Sequence, residues 1–387
     1  MSALAAPPLA LYVHLPWCVR KCPYCDFNSH VHKGALPEAE YVRALLQDLD
    51  ADQSLGAGRA VETVFIGGGT PSLFAAETIA ALMDGIRARL RLAPDAEVTL
   101  EANPGTVEHG RFAAYRDAGV NRFSIGAQSF NERELALLGR IHGAGDTARA
   151  VAELDEAGIR NFNLDIMYAL PEQAVAGALE DIAAAIALAP PHLSHYQLTL
   201  EPGTVFYERP PPLPDQDLSA EIEAATHAQL QRAGYRQYEI SAWARPGAEC
   251  RHNLNYWQFG DYLGIGAGAH GKLTDATRGT IARTVKTKQP REYLERARSG
   301  RAQRTLAEVP VRERVFEFML NALRLPAGFT REMFETRTGL AIESAMPTVG
   351  AALERQLLEA SGDGFRPSAL GLRFLNDLQA MFLPGDP

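Results

Sequence analysis

The sequence predicts an α/β fold: a partial (β/α)6-type barrel followed by a small, mainly helical, winged-helix-like C-terminal domain. Three observations carry this. Short β-rich runs alternate six times with amphipathic stretches up to residue 200. The stretches between them are long enough for helical crossovers, which parallel neighbours require. Beyond residue 311 only helical periods remain, broken by a glycine-punctuated stretch at 362–371. A chain of 387 residues buries about three quarters of its unfolded surface, ample for a barrel core.

In chain order, the runs expected as buried strands are 9–15, 61–66, 98–100, 122–125, 162–167 and 192–200. Apolar residues recur at helical spacing in 37–50, 75–90, 107–118, 132–138 with 146–157, and 175–188. Pro210, Pro211, Pro212 and Pro214 stiffen a connection before a further helix at 218–233. The tail starts with a helical run at 311–323 and closes on a final helix. The expected organisation is a barrel over 1–210, a barrel-capping region over 211–300 and the small domain over 301–387. An open doubly wound sheet is the alternative. In a barrel of this kind the chemistry sits at the C-terminal ends of the strands.

Thirty-eight basic against forty-seven acidic residues give a net charge of −9. That leaves no overall basic footprint and argues against nucleic acid as a partner. The longest apolar run, 182–189, stops at Pro190 and Pro191, well short of the roughly 20 residues a membrane span needs. Residues 1–10 are apolar but lack the basic start and core length of a signal peptide. Three of four cysteines crowd into eight residues, the pattern of a metal or cluster site in a reducing compartment. The expected location is the cytoplasm.

Cys18, Cys22 and Cys25, in a C-x3-C-x2-C run, directly follow the first strand, in the loop where a barrel places its active site. Three thiolates can hold three irons of a [4Fe–4S] cluster and leave the fourth free for a ligand, whereas electron-transfer clusters take four cysteines. Zinc with His14 or His30 as fourth ligand is the rival, but the second knuckle usual in structural zinc sites is missing.

Further motifs stand at strand ends. They are Gly67–Ser72 (GGGTPS), Glu101 with Asn103-Pro104, Gly119 through Phe130, Leu138-Gly139-Arg140 with His142, Asn163 with Asp165, and Ala169 through Pro171. With the cysteine spacing, this set resembles the radical S-adenosylmethionine superfamily. Within it, the set resembles the coproporphyrinogen oxidase branch and, more closely, the HemW heme-chaperone subgroup, over about residues 9–275. The resemblance implies a three-cysteine [4Fe–4S] cluster and S-adenosylmethionine as cofactors.

Glycines at 67–69 allow close backbone approach, and their N–H groups can hold carboxylate or ribose oxygens. A glycine triplet alone reads equally well as a tight strand-to-helix turn. The resemblance assigns Gly68, Gly69 and Thr70 to S-adenosylmethionine, and Glu101 to its ammonium or ribose hydroxyls. It matches Gln128, Arg140 and Asp165 to positions that bind a second S-adenosylmethionine in the oxidase. Tyr12 and Tyr24 flank the cysteine loop and either pack on ligand or fill the core.

Two features separate carrier from oxidase. The oxidase has a further cysteine where this chain has Phe27, and it carries an N-terminal extension over its active site. In the carrier's favour, His252-Asn253-Leu254-Asn255-Tyr256 matches the His-Asn-x-x-Tyr motif of the heme-chaperone subgroup. Histidine and tyrosine are both heme-iron ligands. On a helix, positions four apart lie on one face, so His252 is the leading candidate to ligate and Tyr256 would orient the ligand or stand in for it. The expected function is therefore binding heme and passing it to acceptors, respiratory heme enzymes by resemblance, with some peripheral membrane contact. Oxidative decarboxylation of coproporphyrinogen III in porphyrin biosynthesis is the alternative. A carrier need not turn over substrate, so enzyme status and oligomeric state, a homodimer included, stay open at this point.

Gly264, Gly266 and Ala269 imitate a dinucleotide fingerprint, but no strand–helix unit or downstream acid accompanies them. Cys250 has no neighbouring cysteine and reads as a structural thiol. Residues 278–314 hold eleven Lys or Arg against four Glu, either a solvated face or a patch for propionates, acidic lipid or an acidic partner.

Overall fold

A computed structural model describes residues 4–106 and 111–384. Among the described residues, six parallel strands carry the barrel: β1 (Leu9–Leu15), β2 (Val61–Gly68), β3 (Leu92–Ala102), β4 (Arg122–Gln128), β5 (Phe162–Tyr168) and β6 (His192–Gln197). The expected crossovers are α1 (Glu38–Asp52), α2 (Ala76–Arg87), α3 (Arg111–Asp117), α4 (Glu132–Leu137), α5 (Ala144–Glu156) and α6 (Val175–Ala187). Residues 107–110, expected as the start of a helix, lie outside the described residues. β1 is buried on both faces but apolar on one, its other face carrying Ala10, Tyr12 and His14. Leu11, Val13 and Leu15 are buried in the core with Val64, Ile66 and Leu100 of the next two strands.

The strand expected at 98–100 is the centre of the longer β3. Pro94 and Asp95 disguise its first half, which pairs with β2 across a register shift.

The sheet does not stop at six strands. β7 (Arg236–Glu239), β8 (Ala242–Ala244), β9 (Asp261–Ile265), β10 (His270–Asp275), β11 (Thr280–Lys286) and β12 (Gln303–Glu308) extend it to the order β12-β11-β10-β9-β1-β2-β3-β4-β5-β6-β8-β7. The expected capping region is thus built into both edges of the sheet, and the expected boundary at 301 falls before its last strand. Charges inside β10 and β11 masked them in the sequence. Lys286 is buried and sits 2.6 Å from Asp48 on α1, with Asp52 beside it; Lys272 is buried 2.9 Å from Asp261. Buried lysines persist when paired in this way.

The small domain combines the helices Arg314–Ala322, Arg331–Thr338 and Met346–Glu354 with a three-stranded antiparallel sheet of Phe329–Thr330, Leu358–Ser361 and Gly364–Pro367. Phe318, Phe329 and Phe334 meet edge-on or tilted at its centre. Phe318 also reaches Phe259, and Arg283 of β11 pairs with Glu317, which seats the small domain against the strands beyond β1. No helix among the described residues is long and apolar enough to cross a membrane.

Candidate functional site

The loop after β1 is pinned to the strand ends before it carries any chemistry. Trp17–Cys18 forms a two-residue parallel ladder with His30–Val31, and a tight turn brings Cys25 N to Cys22 O at 3.2 Å. The end of β2 approaches so closely that glycine is required. Gly69 N donates to Leu15 O, and a Cβ on Gly69 would lie 2.5 Å from the Trp17 carbonyl oxygen. Gly68 has φ +119°, and a Cβ there would strike the His14 ring at 2.6 Å.

Cys18, Cys22 and Cys25 are free, half-buried and face one cavity of about 350 Å³ at the C-terminal mouth of the barrel. Thr70 Oγ1 donates to Cys18 Sγ at 3.4 Å and Arg140 Nη1 to Cys22 Sγ at 3.7 Å. Burial raises the Cys18 and Cys25 thiols above their ordinary range. Their thiolate forms therefore call for a cationic centre. Among the described residues, no three His, Cys, Asp or Glu side chains converge closely enough to enclose a single ion. A cubane distributes three thiolates over three irons, and three thiols lining one cavity are the donor set it takes.

Opposite the cysteines the wall is polar and acidic. Glu101 Oε2 accepts from Gly68 N at 3.0 Å, and its carboxyl is pushed up to about 7 by burial and then by Asp165. Asp165 is itself raised by burial, although it accepts from Asn163 Nδ2 at 2.7 Å and Ser124 Oγ at 3.2 Å. Two desolvated carboxyls at one wall favour a ligand that brings positive charge, such as an ammonium or a sulfonium. Gln128, at φ +68°, accepts from the Tyr196 hydroxyl at 2.8 Å, and Arg140 Nη2 donates to Gly126 O at 2.8 Å.

Tyr24, Gly68, Gly69, Thr70, Glu101, Gln128, Arg140 and Asp165 therefore share the cysteine cavity. Tyr12 does not. It is on the same face of β1 as His14, bonds to His14 Nδ1 at 2.9 Å, and lines a neighbouring cavity instead. The sequence reading gave no role to Tyr196, Ser124 or Asn163. Their signal was the polar alternation within β4, β5 and β6, with half-buried Ser194 and Tyr196 alternating with the buried Leu193 and His195.

The neighbouring cavity, about 680 Å³, shares Gly68, Glu101 and Phe27 with the first. Tyr256 lines it from the helix Arg251–Trp257. His252 does not line it. The His252 ring is only 1 % exposed, with Nδ1 2.8 Å from Thr63 Oγ1 and Nε2 3.0 Å from the Tyr256 hydroxyl. The expected iron ligand thus has both nitrogens engaged by protein, because the helix places it against β2 rather than toward the opening. Burial also holds it neutral, lowered to about 3. Cys250 is fully buried beside Glu97, remote from the cysteine loop in the fold as in the sequence. The stretch with Gly264 and Gly266 connects β9 to β10, so no helix follows it as a dinucleotide site would need.

Residues 12–182 match the radical SAM superfamily, and residues 309–374 match the HemN C-terminal domain. Over 97% of this chain and 98% of the relative's, the sequence is 51% identical to the heme chaperone HemW of Escherichia coli strain K12. The chain belongs to the HemW heme-chaperone family. It is 48% identical to HemW of Haemophilus influenzae over 97% of this chain and 98% of that one. It is 38% identical to a mitochondrial radical S-adenosyl methionine domain-containing protein 1 of Bos taurus, over 95% and 86%. The coproporphyrinogen III oxidase structure from Escherichia coli superposes with a TM-score of 0.83, covering 97% of this chain and 90% of that one, at 22% identity. The HemW family and the oxidase therefore share one fold, from the barrel through the small domain.

Proposed function

We propose that this protein is a heme chaperone: it binds heme and transfers it to acceptor proteins such as respiratory heme enzymes. It holds a [4Fe–4S] cluster on Cys18, Cys22 and Cys25, with S-adenosylmethionine in the same cavity. The full-length identity to HemW proteins carries this reading. The second cavity beside the cysteine cavity supports it, since it gives a large flat ligand a place of its own.

In the first cavity, the chain's own part is to bind and to orient. The Gly68–Thr70 backbone holds the ligand's carboxylate or ribose oxygens and the Glu101 and Asp165 carboxyls face its ammonium and sulfonium charges; Gln128 and Tyr196 hold the far wall. Arg140 stabilises the Cys22 thiolate, and Thr70 that of Cys18. When bound, the cluster supplies a one-electron reductant next to the sulfonium. The protein works in the cytoplasm, and part of the 278–314 segment faces solvent for contact with an acidic partner or a membrane surface.

The alternative, oxidative decarboxylation of coproporphyrinogen III, is favoured by the fold shared with the oxidase. Against it stands Phe27, 60 % exposed at the rim shared by the two cavities, where the oxidase has cysteine. Anaerobic purification and cluster reconstitution, followed by parallel assays of hemin uptake and coproporphyrinogen III conversion, separate the two. Stoichiometric hemin uptake without vinyl formation is expected. Vinyl-forming turnover without specific hemin uptake reverses the assignment.

A further inference from the structure

We propose that His270, at the start of β10, is the imidazole that would ligate heme iron, and that His252 positions Tyr256 from behind. This rests on the heme-binding reading above and names the ligand set of that site. Availability of a free ring nitrogen decides the assignment. Three histidine rings, His14, His30 and His270, line the second cavity. His14 has both nitrogens engaged, Nδ1 by Tyr12 and Nε2 by the Asn28 carbonyl. His30 spends Nε2 on Asn28 Oδ1 and keeps only Nδ1, so it is half committed where His270 is uncommitted. The ring of His270 makes no hydrogen bond among the described residues and is exposed to the opening. Partial desolvation by the cavity wall and the nearby Lys288 and Arg283 lower its pKa, which favours the neutral imidazole that binds iron.

Apart from the carboxyls of Asp26 and Glu101, the rest of the lining suits a flat dianionic macrocycle. Tyr256 and Tyr262 meet edge-on at a centroid distance of 4.4 Å, and Trp257 and Phe259 add aromatic surface. Its volume falls in the roughly 300–1,000 Å³ range of cofactor-sized sites. Lys21 and Lys288 line the cavity, and no carboxylate pairs with either among the described residues. Lys288, beside His270, and Lys21, which donates to the Phe27 carbonyl at 3.2 Å, offer charge to two propionates. Arg283, by contrast, is committed to Glu317 and the Tyr262 hydroxyl.

The test uses the full chain titrated with hemin, with the Soret position, the low-spin electron paramagnetic resonance signal and binding affinity as readouts. Far-ultraviolet circular dichroism and cluster content serve as folding controls. His270→Ala is expected to lose the imidazole signature and weaken hemin binding about tenfold or more. Added imidazole is expected to restore the signature in His270→Gly. Lys288→Glu is expected to weaken binding with the signature retained. His252→Gln is expected to keep the imidazole signature while lowering thermal stability. A parent that takes up hemin, with His270→Ala spectrally unchanged or His252→Gln alone abolishing the signature, overturns the His270 assignment and leaves the chaperone reading standing. A folded parent that takes up no hemin fells the chaperone reading and this inference with it.

Discussion

His252 and Tyr256, four residues apart on one short helix, are hydrogen-bonded to each other at 3.0 Å, and Thr63 of β2 closes the other side of the imidazole at 2.8 Å. The pair is therefore a strut between a helix and the barrel wall. Removing the ring strands the Thr63 hydroxyl without its partner. His252→Ala is expected to destabilise the protein by about 1–3 kcal/mol, read as a lower Tm, with iron content unchanged. An unchanged Tm would show that the strut is idle.

The same ring sets a pH dependence. His252 and His195 are each lowered to about 3, and His142 to about 4, chiefly by burial. Their unfolded pKa is near 6.5, so between these values the unfolded state binds more protons. Their contribution is complete above pH 6.5 and is lost as pH falls toward 4. Urea midpoints are expected to drop between pH 7 and 5, and His252→Gln should flatten part of that slope.

Cys18→Ala, Cys22→Ala and Cys25→Ala are each expected to remove most of the reconstituted iron and the brown absorbance. Cys250→Ala should keep both, because its sulfur packs against Glu97. Iron assays per chain decide the matter. Four irons retained in Cys22→Ala would refute three-cysteine ligation.

Glu101, raised to about 7 with Asp165 and Tyr12 as its charged or titratable neighbours, gains a favourable partner when a cationic ligand binds. S-adenosylmethionine affinity should therefore rise from pH 6 to pH 8, as the carboxylate becomes available. Glu101→Ala should lose about 1.5–3 kcal/mol of binding, about tenfold or more, and should flatten the profile. Calorimetry on the reconstituted protein measures both, and equal affinity in mutant and parent would displace Glu101 from the site.

Lys286 joins β11 to α1 through Asp48 and Asp52 in a fully buried cluster. Lys286→Met leaves two carboxylates together without a counter-charge. A loss of about 3–5 kcal/mol is expected in denaturant melts. Restoring part of it with Asp52→Asn on the same background would confirm that unpaired charge, and not lost packing, is the cause.

The barrel was legible because parallel strands covered on both faces read as apolar runs, and 9–15 is such a run. Most of the polar cavity wall was legible only as a constellation of motifs, since Glu101 or Gln128 taken singly is an unremarkable strand-end residue. The edge strands β9 to β12 were not legible. Lys272, Arg283 and Lys286 look like solvent-facing charge, and their partners Asp261, Glu317, Asp48 and Asp52 lie up to 238 residues away. The orientation of His252 was hidden for the same reason. A motif fixes which helix face a side chain shares, but the strand behind that face is a matter of tertiary packing.

Gly68 and Glu101, joined by a hydrogen bond, line both cavities and so belong to a common partition. Genetics on this molecule has a corresponding blind spot. A substitution in the partition perturbs both compartments at once, so a lost function there cannot be attributed to either ligand. Residues private to one compartment give clean separation: Gln128 and Tyr196 on the cysteine side, His270 and Lys288 on the other. A pair of variants drawn from these two sets, compared with the double variant, measures how strongly the two ligands sense each other across the wall.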